Sequence, residues 1–202
     1  MASILKVDTI QDQSGNNIIN ESADTITIGA SGDTITVPTG ATMTVPSGGL
    51  TGQNYPAFEA YLGSTQLVSD NTGTKVQINT EVFDSNSCYD NVTNYRFTPN
   101  VAGKYFCYAQ ISLGAGGSAD FNLGQIIITK NGSTVIYSQC DQRGNPSGFA
   151  PTAITSGIID MNGSTDYIEL FGMVDGVSAG SESFTGDATV RYTNFGAYRI
   201  GA

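Results

Sequence analysis

Histidine is absent from this chain of 202 residues. With it go the commonest general base, the Ser-His-Asp and Cys-His constellations, and any zinc set completed by imidazole. Basic residues are scarce: 8 Lys and Arg stand singly against 18 Asp and Glu, for a net charge of −10. No basic patch is dense enough to neutralise a phosphate backbone, so nucleic acid is not expected as a partner. Long apolar runs are missing as well. No window approaches the roughly 20 residues of a spanning helix, and Lys6, Asp8 and Asp12 interrupt the opening segment where a secretory signal would be apolar. We expect synthesis in a cytoplasm and no membrane insertion. The three cysteines, Cys88, Cys107 and Cys140, are odd in number and lack CxxC spacing, which reads as free thiols.

The remaining route to hydrolysis, two facing carboxylates about 5 to 9.5 Å apart, has its nearest candidates in Asp160, Asp166 and Glu169. The first two flank a turn and Glu169 is expected to face solvent, so no catalytic pair is expected and the chain reads as a non-enzyme. Gly114, Gly116 and Gly117 lack the lysine of a phosphate loop and read as a surface turn.

What is present is the vocabulary of strands. Val, Ile, Thr, Tyr and Phe recur in short runs separated by Gly, Asn, Asp, Ser and Pro, an all-β profile. Strands are expected around residues 57–62, 75–79, 95–98, 104–113, 124–130, 133–139, 152–160, 167–173 and 189–200. Asn131-Gly132 predicts a tight hairpin, since both residues tolerate positive φ, and Asn162-Gly163 reads the same way. Turns every eight to twelve residues indicate a sandwich or jelly roll.

Residues 24–48 hold a near-repeat: Asp24-Thr-Ile-Thr-Ile-Gly-Ala-Ser-Gly32, Asp33-Thr-Ile-Thr-Val-Pro-Thr-Gly40 and Ala41-Thr-Met-Thr-Val-Pro-Ser-Gly48. Alternation puts Ile26 and Ile28, Ile35 and Val37, and Met43 and Val45 on one face of their strands. A single ribbon cannot bury such a row, so the segment reads either as a stalk that stacks on copies of itself or as a flexible Thr/Gly linker. Fully extended it reaches no more than about 80 to 90 Å, at about 3.3 Å per residue. The expected division is residues 1–23, a stalk and hinge over 24–52, and a head over 53–202.

The run Phe97-Thr98-Pro99-Asn100-Val101-Ala102-Gly103-Lys104-Tyr105 resembles the F-T-x-P-x-x-G-x-Y signature of C1q-like heads, of the C1q/tumour-necrosis-factor-like jelly-roll class, with one residue of slack at the proline. Pro56-Ala-Phe-Glu-Ala60, Tyr89-Asp90, Asp166-Tyr-Ile-Glu-Leu170 and Phe195-Gly-Ala-Tyr-Arg-Ile200 lie around it in the family's order. The likeness covers about residues 55–202 and implies a ten-stranded jelly roll that assembles as a homotrimer. Two positions depart from it: Cys107 stands where the family usually has an aromatic, and Ala197 where glycine is common. Along the strand from Lys104, Tyr105, Cys107, Ala109, Ile111 and Leu113 share one face while Phe106 and Tyr108 share the other. A strand apolar on both faces is covered twice, and a trimer axis supplies the second cover. Phe106, Tyr108, Tyr167 and Phe171 are the expected interface residues.

The opening Ile4-Leu-Lys-Val-Asp-Thr-Ile-Gln-Asp12 with Ser14-Gly15 resembles the start of many fibre proteins of tailed bacteriophages. It implies attachment to a virion protein through Ile4, Leu5, Val7 and Ile10, by strand addition to the partner's sheet. The alternative is an arm tucked on its own stalk. These resemblances imply a tail fibre on the virion surface whose head meets a host glycan or protein, with a capsid decoration fibre and a secreted C1q-like lectin as alternatives. No cofactor is expected. Asp84, Asn86 and Asp90 space oxygen ligands like a loose calcium loop but lack its sixth-position glycine and terminal glutamate, so a solvated loop stands beside a calcium site. Asn20, Asn91, Asn131 and Asn162 match the N-glycosylation pattern, though Asn131 and Asn162 are explained by turns.

Overall fold

The computed structural model describes residues 9–11, 13–15, 17–22, 25–29, 31–43, 55–115, 121–143, 151–177 and 180–201. The chain divides into two units, residues 1–50 and 51–202. The first is a three-stranded antiparallel sheet of β1 (Thr9–Gln11), β2 (Asn17–Ser22) and β3 (Thr25–Ile28), in that order. Gly15, at φ 84°, takes the left-handed backbone in the β1–β2 turn, and Gly29 does the same after β3.

The N-terminal sheet spans the expected division at residue 23. Among the described residues of the three repeat units, the laddered strand is in the first, and its partner is β2, which falls within the segment read as an attachment arm. The division at residue 23 therefore runs between two strands of one sheet. Residues 33–43 have no ladder, and Val45 lies outside the described residues. Pro38 has no N–H to donate and instead accepts the Ala41 N–H at 3.0 Å, turning the chain.

The second unit is built from β4 (Ala57–Tyr61), β5 (Gln66–Leu67), β6 (Thr74–Lys75), β7 (Thr80–Asp84), β8 (Tyr89–Asp90), β9 (Arg96–Phe97), β10 (Gly103–Ala115), β11 (Phe121–Lys130), β12 (Ser133–Asp141), β13 (Thr152–Met161), β14 (Ile168–Gly176), β15 (Glu182–Phe184) and β16 (Asn194–Gly201). All pairings are antiparallel. One sheet runs β5-β15-β10-β16-β4-β7, with β13 on the other edge of β10; the second runs β12-β11-β14-β9-β8, with β6 also on β14. This is a jelly roll, and no described residue is helical.

Most expected strands appear within a few residues. Residues 75–79 are an exception: only Thr74 and Lys75 pair with β14, and the next strand, β7, pairs with β4 in the other sheet. Val76 and Ile78 are nevertheless fully buried, so this stretch alternates because it lies on the core. β5, β7 and β15 were not legible in the sequence because they are short or carry few apolar side chains. The last strand begins at Asn194, not near residue 189, because Asp187 accepts the Thr189 and Val190 N–H groups and holds a turn there.

The core explains the signature run. Phe58 stacks on Tyr89 at 4.4 Å and on Phe97 at 4.6 Å, and meets Phe195 edge-on at 5.2 Å. Phe97 meets Tyr105 at 5.7 Å, and the Tyr105 hydroxyl donates to the Val101 carbonyl at 2.7 Å. The signature's two aromatics thus tie both ends of the 98–104 corner to one cluster. Gly103 is required there because a Cβ would strike the Gly201 carbonyl oxygen and the Arg199 side chain. The two departures from the family pattern face each other: Cys107 pairs with Ala197 on one side and Gly157 on the other, both cysteine and alanine buried. Small residues in this row leave room for the aromatic cluster. The three cysteines are free thiols, and burial pushes Cys107 up to about 12.

A candidate assembly surface

The outward face of the β13-β10-β16-β4 sheet is set by alternation along β10. Tyr105, Cys107, Ala109, Ile111 and Leu113 are buried between the sheets, while Phe106, Tyr108 and Gln110 point away and are only half-buried. Register then fixes three rows across four strands. The first is Ile158–Phe106–Tyr198–Ala57, the second Ser156–Tyr108–Gly196–Glu59, the third Ile154–Gln110–Asn194–Tyr61.

In the first row Phe106 lies 5.6 Å from the Tyr198 ring and 6.3 Å from Tyr108. Ile158 and Ile154, at 60% and 66% exposure, flank them on β13 and are open among the described residues. The second row contains a carboxylate, but a satisfied one. Tyr108 donates to one Glu59 oxygen at 2.9 Å and Arg191 to the other at 2.8 Å. Burial, then the Glu59 carboxylate, pushes the Tyr108 hydroxyl well above the ordinary tyrosine range, so it stays a donor. The ring of Tyr108 lies over Gly196, where a Cβ would collide with its phenolic end. In the third row Gln110 donates to the carbonyls of Arg191 and Tyr192 at 2.9 and 3.2 Å. The first row is apolar and partly exposed, and beside it Tyr108, Glu59, Arg191 and Gln110 are already engaged with one another or with backbone carbonyls, which lowers the cost of desolvating this face by another chain.

The four expected interface residues are not brought together. Phe106 and Tyr108 share this face, but Tyr167 and Phe171 lie on the outer side of the opposite sheet, with Tyr167 one residue before β14. Each is covered by a cation there: the Arg96 guanidinium is 4.5 Å from the Tyr167 ring and the Lys75 ammonium 5.8 Å from Phe171. Ile154, Ile158, Tyr198, Glu59 and Arg191 were missed by sequence reasoning. The signal for the first two was available, because residues 152–161 are apolar on both alternations. The Glu59–Arg191 pair spans 132 residues and has no local signal.

The carboxylates considered for hydrolysis are separated into three ion pairs. Asp160 pairs with Lys104 at 3.0 Å, Asp166 with Lys130 at 2.8 Å, and Glu169 with Lys75 at 2.5 Å. Glu169 does not face solvent: it is 6% exposed, lying between Thr129 and Arg96 in register on the outer sheet. The calcium candidates are occupied with the backbone. Asp84 accepts the Asn86 and Tyr89 N–H groups, Asn86 accepts the Ser85 hydroxyl, and Asp90 accepts three backbone N–H groups and the Asn94 amide. Among the described residues no three His, Cys, Asp or Glu side chains are grouped to hold a metal. Asn131 is spent in both directions, donating to Asp166 and accepting from the Tyr167 N–H.

A recess of about 370 Å³ is lined by Leu62, Ser64, Thr65, Gln66, Leu67, Gln77 and Asn79. Its amides close loops. Gln66 donates to the Lys75 carbonyl and accepts the Gln77 N–H, and Asn79 accepts the Gly63 N–H. Ile4, Leu5 and Val7 lie outside the described residues; Ile10 is in β1, paired with Ile19.

No protein-family model and no curated protein matches the sequence. Among solved structures, murine APRIL at pH 5.0 matches with 14% identity and a TM-score of 0.50, over 71% of this chain and 99% of that one. Murine APRIL at pH 8.0 matches with 13% identity and a TM-score of 0.47, over 71% and 98%. The first of these likenesses agrees with the jelly-roll fold described above.

Proposed function

We propose that this chain is a non-enzymatic structural fibre protein of a tailed bacteriophage, with a homotrimeric jelly-roll head presented to the host surface and an N-terminal segment held by a virion protein. The observation that carries the assembly is the Ile158–Phe106–Tyr198 row beside exposed Ile154. A partly exposed aromatic and aliphatic row beside the bonded Tyr108–Glu59–Arg191 set suits a partner better than solvent. Three copies arranged about an axis cover it in a closed ring, and the fold's likeness to the C1q and tumour-necrosis-factor type supports three. The opening segment's resemblance to phage fibres supports the virion setting. It leaves tail fibre and capsid decoration fibre distinguished only by position on the particle.

Light scattering on the full chain should give the mass of three copies. An antibody raised to the head should then label intact phage particles, at the tail for a tail fibre and over the capsid for a decoration fibre. A stable monomer at micromolar concentration refutes the assembly, and unlabelled particles refute the virion role.

A further inference from the structure

The N-terminal sheet carries a row that the repeat at residues 24–48 conceals. Ile10 stands directly opposite Ile19, and Ile19 directly opposite Ile28. The three isoleucines are nine residues apart, and Val37 follows at the same interval. Directly opposed residues lie on the same face of a sheet, so this is a ladder of one side chain crossing all three strands. It is uncovered: Ile10, Ile19 and Ile28 are 42%, 37% and 54% exposed, with Ile26 beside Ile28 at 67%. The strands are short, at three, six and four residues, and a small sheet gains stability from its apolar face only where something packs on that face.

We infer that the Ile10–Ile19–Ile28 rows of three copies of this chain pack against one another, forming an aliphatic core along the N-terminal sheet. Two observations select a second copy over a different partner. The row repeats one side chain at the interstrand pitch of about 4.8 Å, so another copy of itself has matching spacing without further design. The same chain also carries the head's unpartnered aromatic face, and a head that joins three copies holds their N-terminal sheets at an effective concentration in the millimolar range. The inference rests on that three-chain reading of the head. It moves Ile10 from attachment to the stalk, leaving Ile4, Leu5 and Val7 for the virion partner.

The test uses the full chain, with mass by light scattering and amide exchange of residues 17–28 by mass spectrometry. The wild-type trimer should exchange there at least about 100-fold slower than an unstructured chain. Ile19→Asp should keep the mass at three copies while losing at least about tenfold of that protection, and Ile19→Val should retain it. Phe106→Asp, diluted to a monomer, should lose the protection as well. The inference is overturned if wild-type trimer and Ile19→Asp exchange alike, or if protection survives in the Phe106→Asp monomer, which would mean the row is covered within one chain. Failure of the head reading is a separate result: a wild-type chain that is not a trimer, or a mass that Phe106→Asp leaves at three.

Discussion

The two sheets of the head present outward faces of similar aromatic content and opposite finish. On the β12-β11-β14 sheet the rings of Tyr167 and Phe171 lie beneath Arg96 and Lys75, and the buried Glu169 is paired to the same Lys75. On the β13-β10-β16-β4 sheet no cation stands over Phe106, Tyr198 or Ile158 among the described residues; Arg191 pairs with Glu59 and lies 5.9 Å from the Tyr61 ring, at the far row of the face. A ring under a cation is already desolvated on one side and shielded by a hydrated head, so it is a finished solvent surface. A ring beside bare isoleucines is unfinished within one chain. Aromatic content alone does not locate an interface; what lies over the aromatics does.

The largest effect should come from charging the unfinished face. Phe106→Asp puts an unpaired carboxylate where a partner would desolvate it, which costs several kcal/mol per copy. The mass of the full chain should fall from three copies to one, while the circular dichroism of the β fold persists because Phe106 lies outside the core. Retention of the trimer would mean that the other sheet is the interface. The converse substitution, Lys75→Met, attacks the finished face. It removes the partner of a buried carboxylate and a donor to the Asn94 carbonyl at 3.2 Å. Since Lys75 is a third exposed, the loss is below that of a fully buried pair, about 1 to 3 kcal/mol. Chemical denaturation should register it with the mass still at three. If Lys75→Met dissociates the trimer, the distinction between the two faces collapses.

A third test asks whether the unfinished face is shaped in detail. Tyr108 reaches Glu59 only because Gly196 lets its ring lie flat on β16. Gly196→Ala would displace the ring, and the ring can swing outward, so the cost is the hydrogen bond and some packing, about 1 to 2 kcal/mol. The melting temperature should fall by several degrees, and Tyr108→Phe should reproduce most of the loss. Equal stability of Gly196→Ala and wild type would show that the ring does not depend on that glycine.

Local chemistry was the part of this molecule legible in its sequence. Alternation along residues 104–113 separated core from outward face correctly, and Asn131-Gly132 gave a hairpin with φ of 52° and 79°. The signature run marked the corner before β10. What the sequence did not expose was pairing at long range. Tyr167 and Phe171 alternate like interface residues, and only the sheet order reveals that they lie on the far side with cations over them. Glu169 looked solvent-facing because its pair, Lys75, is 94 residues away. The isoleucine ladder was hidden differently. The Thr-Ile-Thr repeat from residue 24 drew the boundary, while the structural period begins at Ile10 and crosses it.

The smallest expected effect belongs to the loop once weighed as a calcium site, and pH reads it. Asp90 accepts the N–H groups of Val92, Thr93 and Asn94 and the Asn94 side-chain amide, at 2.7 to 3.2 Å. These bonds, led by that from Thr93, hold its carboxyl at about 2, below the ordinary value of about 3.9. A carboxyl whose folded pKa is depressed binds protons more readily in the unfolded chain, so its contribution is complete above about pH 4. It is lost as pH falls towards 2. Because the loop is open to solvent the contribution is screened, to about 1 kcal/mol or less. Asp90→Asn should therefore lower stability slightly at pH 6 and flatten the decline between pH 4 and 2 relative to wild type, with the mass unchanged. If millimolar calcium raises the wild-type melting temperature and Asp90→Asn abolishes that rise, the carboxylate's lone pairs are available to a cation and the loop-bracing role assigned to them is wrong.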